Sequence, residues 1–336
     1  MRRAIWITRF DWDTEADLRR LARNAIRVGF TDLLMQVRGA GDALYRSSVA
    51  PTSPKIAGRL GGHAAWDPLD VVITEARREA VRVHAWLNVL SGWPATSDAG
   101  CAGLVESLDG EPDHLLIHKP ELLLLDEDGC PMPCPNAWDY QWLSPRDPVV
   151  EADIRTVVSE LCDAYPVDGV HLDRIRYPGG PWRDPGFEDR SPEAVTRLVR
   201  AVRQLMPGSL ELTCSLAPDY LAVDDGGDPE HLVEYGQDGW KWVHEKLVDG
   251  IMPMVYTPVL PVAVDDWRRL VRGHVDAVGA DKVWAPIYAD LPVAQIERQI
   301  SEANQIDGAD VAWYSAGLIE RNGHWGRVET WLRRDM

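Results

Sequence analysis

The sequence predicts an α/β protein folded as a (β/α)8 barrel, or TIM barrel. Short apolar or β-branched runs alternate with amphipathic stretches of helical period along the whole chain. About eight such βα units fit into 336 residues, a length that suits a barrel with insertions. With no linker or internal repeat in evidence, we expect residues 1–336 to form a single barrel domain, with a loop insertion at about residues 91–146.

The predicted strands are short branched or apolar runs bounded by turn residues. In chain order they cover residues 4–8, 32–38, 82–90, 169–175, 210–216, 250–256, 282–288 and 311–315. A doubly wound open sheet is the alternative, but it needs a glycine-rich nucleotide loop after the first strand. Residues 7–12 contain no such loop, so the barrel is favoured.

Capping residues mark the starts of the predicted helices. Thr14 followed by Asp17 has the spacing of a capping box. Three later helices begin with an N-cap residue followed by proline at the first helical position: Asp67-Pro68, Asp147-Pro148 and Ser191-Pro192. The remaining helices are predicted over residues 240–248, from residue 264, from residue 293, and near residues 327–334.

The long connection after the third strand is rich in Gly, Pro, Cys and Trp. A connection of this length in a compact domain is usually a lid or a binding loop. Fifteen tryptophans against three phenylalanines add to this interpretation, because an indole offers a flat face and one polar edge to a wet, sugar-like ligand. We expect at least two of the loop tryptophans to expose a face at the barrel mouth, from the set Trp93, Trp138, Trp142 and Trp182.

Charge and hydropathy exclude several classes of partner. A net charge of −18, from 53 acidic and 35 basic residues, disfavours nucleic acid, whose phosphates require clustered Lys and Arg. Acidic partners are disfavoured for the same reason. No apolar run approaches the roughly 20 residues of a membrane span, and no signal-peptide pattern is visible, so a cytoplasmic location is expected.

The cysteines give little indication of a metal site. Their number, five, is odd, so they cannot all be paired in disulfides. Cys130 and Cys134 form the only close pair, and no second pair or nearby His pair completes a zinc site. We therefore expect no metal and no cofactor.

Catalytic residues of such a barrel lie at the C-terminal ends of its strands. The densest group of polar side chains there is the fourth-strand segment YPVDGVHLDRIRYP, residues 165–178. Strand alternation places His171 and Asp173 on one side and Arg174 on the other. Asp173 is the candidate catalytic carboxylate, with a structural salt bridge to an arginine as the alternative.

This segment resembles the hallmark of the glycosyl hydrolase-like family 10, a group of bacterial (β/α)8 barrels. Further segments match in the same order: AIWIT, LLMQVRGAGDALYRSSVAP at 33–51, WDPLDVVITEARREAVRVHAWLNV at 66–89, QWLSPRDPVV at 141–150 and IMPMVYTP at 251–258. The match spans nearly the whole chain. It implies glycan hydrolysis, and some members act on peptidoglycan glycan strands that lack stem peptides.

A looser resemblance to the family 18 chitinases has different implications. Aligning their Asp-Gly-x-Asp-x-Asp-x-Glu motif on Asp168-Gly169 puts Ile175 where the catalytic Glu should stand. A substrate-assisted chitinase mechanism is therefore disfavoured. A metal-dependent barrel hydrolase is also disfavoured, because the end of the first strand lacks the His-x-His pair that it needs.

Glycosidic cleavage usually requires two carboxyl groups, and Asp173 is predicted to be one of them. The second is left open among Asp42, Asp219 and Asp290, with the first two retained as catalytic candidates. Residues expected to bind the sugar, by position or by the family resemblance, are Gln36, Arg38, His84, Trp86, Asn88, His171, Arg176, Tyr256, Tyr288 and Trp313.

The sequence therefore predicts a glycoside hydrolase that cleaves O-glycosidic bonds in an oligo- or polysaccharide, with a carbohydrate as its partner. A non-catalytic glycan-binding barrel is the alternative. The hydrolase would release product from at least one glycan, whereas the glycan-binding barrel would release none. The sugar, the linkage and the oligomeric state are left open.

Overall fold

A computed structural model of the protein describes residues 1–218, 230–256 and 264–334. Its strands are β1 (Arg3–Ile7), β2 (Asp32–Arg38), β3 (Arg82–Asn88), β4 (Ser91–Pro94), β5 (Tyr140–Trp142), β6 (Gly169–Asp173), β7 (Glu211–Leu216), β8 (Gly250–Pro253), β9 (Trp284–Tyr288) and β10 (Asp310–Tyr314). Its helices are α1 (Glu15–Val28), α2 (Pro54–Ala57), α3 (Pro68–Ala76), α4 (Asp98–Cys101), α5 (Leu115–His118), α6 (Pro148–Ala164), α7 (Pro192–Leu205), α8 (Glu230–Val233), α9 (Gly239–His244), α10 (Val264–Val278), α11 (Val293–Ala303), α12 (Ala316–Arg321) and α13 (Trp325–Arg334).

Eight of the strands form one parallel sheet, which confirms the predicted barrel. The order around the sheet is β8-β7-β6-β3-β2-β1-β10-β9. The sheet curls until its two outer strands, β8 and β9, meet at a single parallel bridge between Ile251 and Val283. We call this junction the seam. The fourth barrel strand of the sequence prediction is thus β6, which pairs with β3 and β7.

The four capped helix starts that the sequence predicts are present in the structure. At α1, the Thr14 side chain accepts from the Asp17 backbone N–H, and the Asp17 carboxylate accepts from the Thr14 backbone N–H. Asp67, Asp147 and Ser191 each accept an N–H bond in the first turn of the following helix, with proline after them. These caps satisfy backbone donors that have no partner within the helix.

The apolar interior divides into two parts, one inside the barrel and one between the barrel and its helices. Side chains inside the barrel come from alternate strand residues and form a cluster of seven: Ala4, Trp6, Leu34, Trp86, Met252, Trp284 and Ala312. They fill the lower and middle lumen, so the barrel is a packed core and not a pore. The polar side chains of the lumen lie at its two ends, apart from His171 and Thr213, which bond to each other beside Trp6.

The lower end of the lumen, at the start of the strands, is closed by a network of ion pairs. Arg2 contacts both Asp32 and Glu211 at 2.6 Å. Arg82 lies 2.9 Å from Asp32, and His84 lies 3.0 Å from the same carboxylate. Asp32 is fully buried, and although burial raises its pKa, His84, Thr31 and Arg2 together hold that pKa below its ordinary value.

The insertion after β3 folds over the upper end of the barrel. Its β4 and β5 form an antiparallel pair, and a disulfide between Cys101 and Cys134 ties α4 to the segment that leads into β5. Cys130, Cys162 and Cys214 are free. Backbone bonds from Val89 to Asp173 and from Leu143 to Leu90 connect the insertion to the ends of β3 and β6. It therefore forms one wall above the strand ends.

Within the described ranges, we find no helix with the length and apolar character needed to cross a bilayer.

Candidate active site

A cleft of about 270 Å³ lies at the C-terminal ends of the barrel strands. Residues from all eight barrel strands or their following loops, together with Tyr140 of the insertion, line it. They are Trp6, Thr8, Phe10, Gln36, Trp86, Asn88, Tyr140, Asp173, Arg174, Arg176, Ser215, Met254, Tyr256, Tyr288 and Tyr314. This is the end at which (β/α)8 barrels carry their active sites.

Asp173 ends β6 and presents its carboxylate to this cleft. One carboxylate oxygen accepts the Arg174 backbone N–H at 2.7 Å, and the side chain is half-buried. Among the residues that the structure describes in the cleft wall, Asp173 is the only acid. A half-buried carboxylate with unfilled acceptor positions can take or give a proton, or attack a carbon, in a bound ligand.

Two residues of β3 that line the cleft each have a buried polar atom with no hydrogen-bond partner among the described residues. The Trp86 indole N–H makes no hydrogen bond to the described part of the chain, and neither does Oδ1 of Asn88. The amide nitrogen of Asn88 donates to the Gly39 carbonyl at 3.1 Å, which fixes the side chain. A donor and an acceptor left unpaired beside a carboxylate are suited to ligand hydroxyl groups, which can both donate and accept.

The wall opposite β3 is aromatic. Tyr256, Tyr288 and Tyr314 pack against one another, with ring centroids 5.3 to 6.3 Å apart. Burial and the charges of Asp11 and Asp173 raise the pKa of Tyr314, so its phenol stays protonated at neutral pH. Such a wall offers flat apolar faces together with hydroxyl groups, a combination that fits the faces and edges of a sugar.

A buried histidine, His171, lies directly below the floor of the cleft. His171 bonds to the hydroxyls of Thr213 and Ser215, both at 2.9 Å, and it packs edge-on against Trp6. Burial, with a smaller contribution from His84, lowers the pKa of His171 to about 3. The imidazole is therefore neutral at physiological pH, and it orients Ser215, whose side chain lines the cleft.

Two arginines, Arg174 and Arg176, line the cleft together with Asp173. Arg174 lies over the rings of Tyr140 and Trp142, at 4.7 and 5.6 Å. Arg176 lies over Trp142 and Tyr235 and donates to the Tyr177 carbonyl. Burial, followed by the neighbouring Arg174 charge, lowers the pKa of Arg176 to about 10, so it remains charged at neutral pH.

One group of described side chains has ligand atoms close enough together to hold a metal ion: Asp32, His84 and Glu211. These atoms lie within 4.8 Å of one another, but at the lower end of the barrel, away from the cleft. Arg2 and Arg82 already pair with both carboxylates there. The group is thus a charge-balanced ion-pair network, in which a cation would have to displace two arginines.

Comparison with known families decides the classification. Residues 1–188, more than half of the chain, match the family model described as glycosyl hydrolase-like 10. The chain belongs to the glycosyl hydrolase-like 10 family. The resemblance seen in the sequence motifs is therefore confirmed, and β6 with Asp173 lies inside the matched segment.

Two curated relatives carry glycosyl hydrolase names. Glycosyl hydrolase DigH of Escherichia coli (strain K12) is 24% identical over 261 residues, covering 69% of this chain and 56% of DigH. Glycosyl hydrolase YngK of Bacillus subtilis (strain 168) is 24% identical over 320 residues, covering 81% of this chain and 58% of YngK. The chain spans little more than half the length of these relatives.

Solved structures show the same fold at low sequence identity. The glycoside hydrolase domain of PgaB (BpsB) from Bordetella bronchiseptica matches with a TM-score of 0.71 and 13% identity over 98% of both chains. The catalytic domain of β-amylase from Paenibacillus polymyxa matches with a TM-score of 0.61 and 9% identity, also over 98% of both. These likenesses establish the barrel fold of this glycosyl hydrolase-like 10 member.

Of the residues expected to bind the sugar, six line the cleft: Gln36, Trp86, Asn88, Arg176, Tyr256 and Tyr288. The Gln36 side-chain oxygen accepts the Arg9 backbone N–H at 2.9 Å, which fixes the loop after β1. His171 lies one layer lower and reaches the cleft only through Ser215. The other expected residues, Arg38, His84 and Trp313, lie elsewhere.

Arg38 is a correction to the family-based expectation. Strand alternation from Gln36 would turn Arg38 inward, but the register of β2 against β3 shifts between these two residues. The irregularity turns Arg38 outward, where it is buried and pairs with Asp153 of α6 at 2.6 Å. Arg38 therefore joins the barrel to a helix and does not line the cleft.

His84 and Trp313 are corrected for different reasons. His84 faces the lumen but lies four residues below Asn88 on β3, roughly 13 Å at the usual rise per residue, in the lower ion-pair network. Trp313 faces outward and stacks on Trp331 of α13, so its neighbour Tyr314 is the residue that reaches the cleft. Neither His84 nor Trp313 is placed to touch a ligand there.

The expectation of exposed tryptophans at the barrel mouth is wrong. Trp93, Trp142 and Trp182 are buried, and only Trp138 of the four is partly exposed. Trp138 packs edge-on against Trp182, and the Trp93 indole N–H donates to the Gly100 carbonyl. These indoles pack within the insertion and its surroundings. The tryptophans that line the cleft are Trp6 and Trp86.

Of the three candidates for a second carboxylate, the structure describes two, Asp42 and Asp290. Asp42 is buried in the loop after β2, where it accepts the Gly39 and Ala40 backbone N–H groups. Burial raises its pKa, but Arg9, Ser53 and Ala40 hold that pKa below the ordinary value. Asp290 is exposed and accepts from Asn322. Asp219 lies outside the described residues.

Eight cleft residues are not among the predicted catalytic or sugar-binding residues: Trp6, Thr8, Phe10, Tyr140, Arg174, Ser215, Met254 and Tyr314. Alternation from Ala4 and Ala312 along β1 and β10 points to Trp6 and Tyr314. Arg174 was expected to point away from Asp173, but its backbone has a φ of 50°, in the left-handed region, which breaks the alternation after β6. Tyr140 arrives from the insertion, and no local pattern indicates its position.

Proposed function

We propose that this protein is a glycoside hydrolase that cleaves O-glycosidic bonds in an oligo- or polysaccharide, with Asp173 as one of its catalytic groups. Membership of the glycosyl hydrolase-like 10 family supports the reaction class. The observation that carries the proposal is the cleft, in which one carboxylate lies among aromatic walls and unpaired hydrogen-bonding atoms. Glycosidic cleavage requires such a carboxyl group beside the scissile bond.

In this proposal, each group of cleft residues has its own chemical role. The Asp173 carboxyl group would protonate the leaving oxygen or act at the anomeric carbon, whereas Trp86 and Asn88 would bond to sugar hydroxyls. The three tyrosines would hold the face of a sugar ring.

The second carboxyl group is proposed to be Asp219. It follows β7 by three positions in the sequence, and Ser215 of that strand lines the cleft. Asp42 is held by backbone amides and by Arg9, and it lies outside this cleft, so it is a weaker candidate. The anomeric form of the first product, followed by NMR, would distinguish retention from inversion.

Replacing Asp173 with Asn tests the proposal. The change keeps the size of the side chain but removes its proton chemistry, so cleavage is expected to fall by about a thousandfold. Reducing ends released from denuded peptidoglycan strands, chitin oligomers and α- and β-glucans would be measured. The control is Asp290→Asn, an exposed change outside the cleft, which should leave turnover unchanged.

Unchanged thermal stability and retained glycan binding in Asp173→Asn would show that the loss is chemical. Turnover comparable with that of the original protein would refute the role of Asp173.

A non-catalytic glycan-binding barrel is the second candidate function. The observation that favours it is the single acid among the described residues of the cleft, because most glycosidases use two. It predicts saturable quenching of tryptophan fluorescence by a glycan without product from any substrate. Product formation that depends on Asp173 would eliminate this candidate.

A further inference from the structure

A second cavity adjoins the cleft and continues it beneath the insertion. It measures about 640 Å³ and shares Phe10, Tyr140 and Arg174 with the cleft. Its other walls come from the loop after β2 and from residues 93–103 of the insertion. Phe10 stands between the two spaces with 71% of its surface exposed. A ligand longer than one sugar in the cleft would extend past Asp173 into this cavity.

Of the three cations that line the second cavity, Arg9, Lys55 and Arg174, only Arg174 has no side-chain hydrogen bond or ion pair among the described residues. Lys55 pairs with Asp13 at 2.5 Å. Asp42 is compensated by backbone amides and by the Arg9 charge, and Asp139 is exposed to solvent. Arg174 makes no ion pair and donates no side-chain hydrogen bond to any described residue. In a chain with 53 acidic and 35 basic residues, a partly buried arginine without a carboxylate is unusual.

The surroundings of Arg174 leave part of its guanidinium available. Its planar group lies 4.7 Å from the Tyr140 ring centroid, and the Tyr140 hydroxyl is fixed by a 2.8 Å bond from Arg9. The backbone at Arg174 is left-handed, and its side chain lies at the boundary of the two cavities, both of which it lines. A guanidinium held by its face offers its edge, and two parallel N–H groups on that edge match a carboxylate.

We propose that the second cavity is a subsite for a sugar that carries a carboxylate, with the edge of Arg174 as its recognition group. The proposal rests on the proposed glycan cleavage and specifies the substrate as an acidic glycan. The overall negative charge disfavours acidic partners in general, as the sequence indicated, but the unpaired arginine reverses that preference locally. It determines specificity and does not take part in bond cleavage.

The test uses one glycan with and without its charge. Peptide-free peptidoglycan strands carry a lactyl carboxylate on alternate sugars, and carbodiimide amidation with ammonia neutralises it at nearly constant size. Binding of both forms to the Asp173→Asn protein would be measured by calorimetry. The charged strands should bind about tenfold or more tightly, because a hydrogen bond between charged groups is stronger than one to an amide. This preference should shrink as salt is added.

Two variants assign the preference to Arg174. Arg174→Gln should remove it by weakening binding of the charged strands only, and Arg174→Lys should restore part of it. Arg327→Gln, an exposed change on α13, should keep it. Equal affinities of the Asp173→Asn protein for both forms, or an equal loss for both forms when Arg174→Gln is added to it, would overturn the subsite. Absence of product from every glycan would instead overturn the proposed hydrolysis, so the two failures are distinguishable.

Discussion

The indole N–H of Trp86, a residue that lines the cleft, is buried and has no acceptor in the part of the chain that the structure describes. If a sugar hydroxyl accepts it, Trp86→Phe should weaken glycan binding by about 2- to 12-fold, the range for one neutral hydrogen bond. Trp313→Phe is the matched control, because Trp313 has an equally unpaired indole N–H but faces the helices. It should lower stability by ~1–3 kcal/mol and leave affinity unchanged. Calorimetric titration with the preferred glycan measures both effects, and equal losses of affinity would contradict this assignment.

Single residues also show how far the sequence predicts the site. Position at strand ends correctly brings Gln36, Asn88 and Asp173 to one cleft, because parallel strands of a barrel end at the same face. It fails at Arg38, where an irregular register in β2 reverses the direction of the side chain. It also fails at Arg174, whose left-handed backbone has no signature in the neighbouring residues.

The helices and strands of the barrel are predicted more accurately from the sequence than the interior of the insertion. The cap at Thr14 and the Asp-Pro and Ser-Pro starts are local signals, and the structure has each of them. The interior of the insertion was not predictable, because its conformation depends on non-local contacts. Tyr140 reaches the cleft through the pairing of β4 with β5, and the cysteine pairing joins residues 33 positions apart.

The Cys101–Cys134 disulfide is expected to stabilise the insertion. Closing a loop of this length restricts the unfolded chain. This restriction stabilises the folded insertion by roughly 3–4 kcal/mol. Replacing both cysteines with serine should therefore speed proteolytic cleavage within residues 95–139 and weaken binding in the second cavity, one wall of which is α4. Mass spectrometry of the digested fragments measures the cleavage rate.

Cys130→Ser is the control for this change, because Cys130 is exposed and free in the same segment. Thiol titration of the unreduced, unfolded protein should find three free thiols. A rate of cleavage equal in the double variant and the control would contradict a stabilising role for the disulfide.

For the whole molecule, His171 predicts a loss of stability in acid. Its folded-state pKa of about 3 lies below the ordinary value of 6.5, so the unfolded chain binds a proton that the folded chain does not. The contribution of neutral His171 to the free energy of unfolding is present above about pH 6.5. It is lost as the pH falls from 6.5 toward 3. Between pH 7 and 4.5 this group should account for about 2–3 kcal/mol of the loss.

Urea unfolding of the original protein and His171→Gln at both pH values measures this contribution. The variant should lose less stability than the original protein on acidification, even if it is less stable at pH 7. His118→Gln, a change of an exposed histidine, should keep the full dependence. An identical pH dependence in all three proteins would show that His171 does not titrate as the structure indicates.

The seam of the barrel also bears on the shape of the cleft. At the lower end of the junction, β8 and β9 are joined by one backbone bridge, Ile251 to Val283, whereas at the upper end the contact is between the rings of Tyr256 and Tyr288. The aperture there is therefore set by side chains and not by a hydrogen-bond ladder. Separation of these two rings would widen the cleft at this point and would break no strand pair among the described residues.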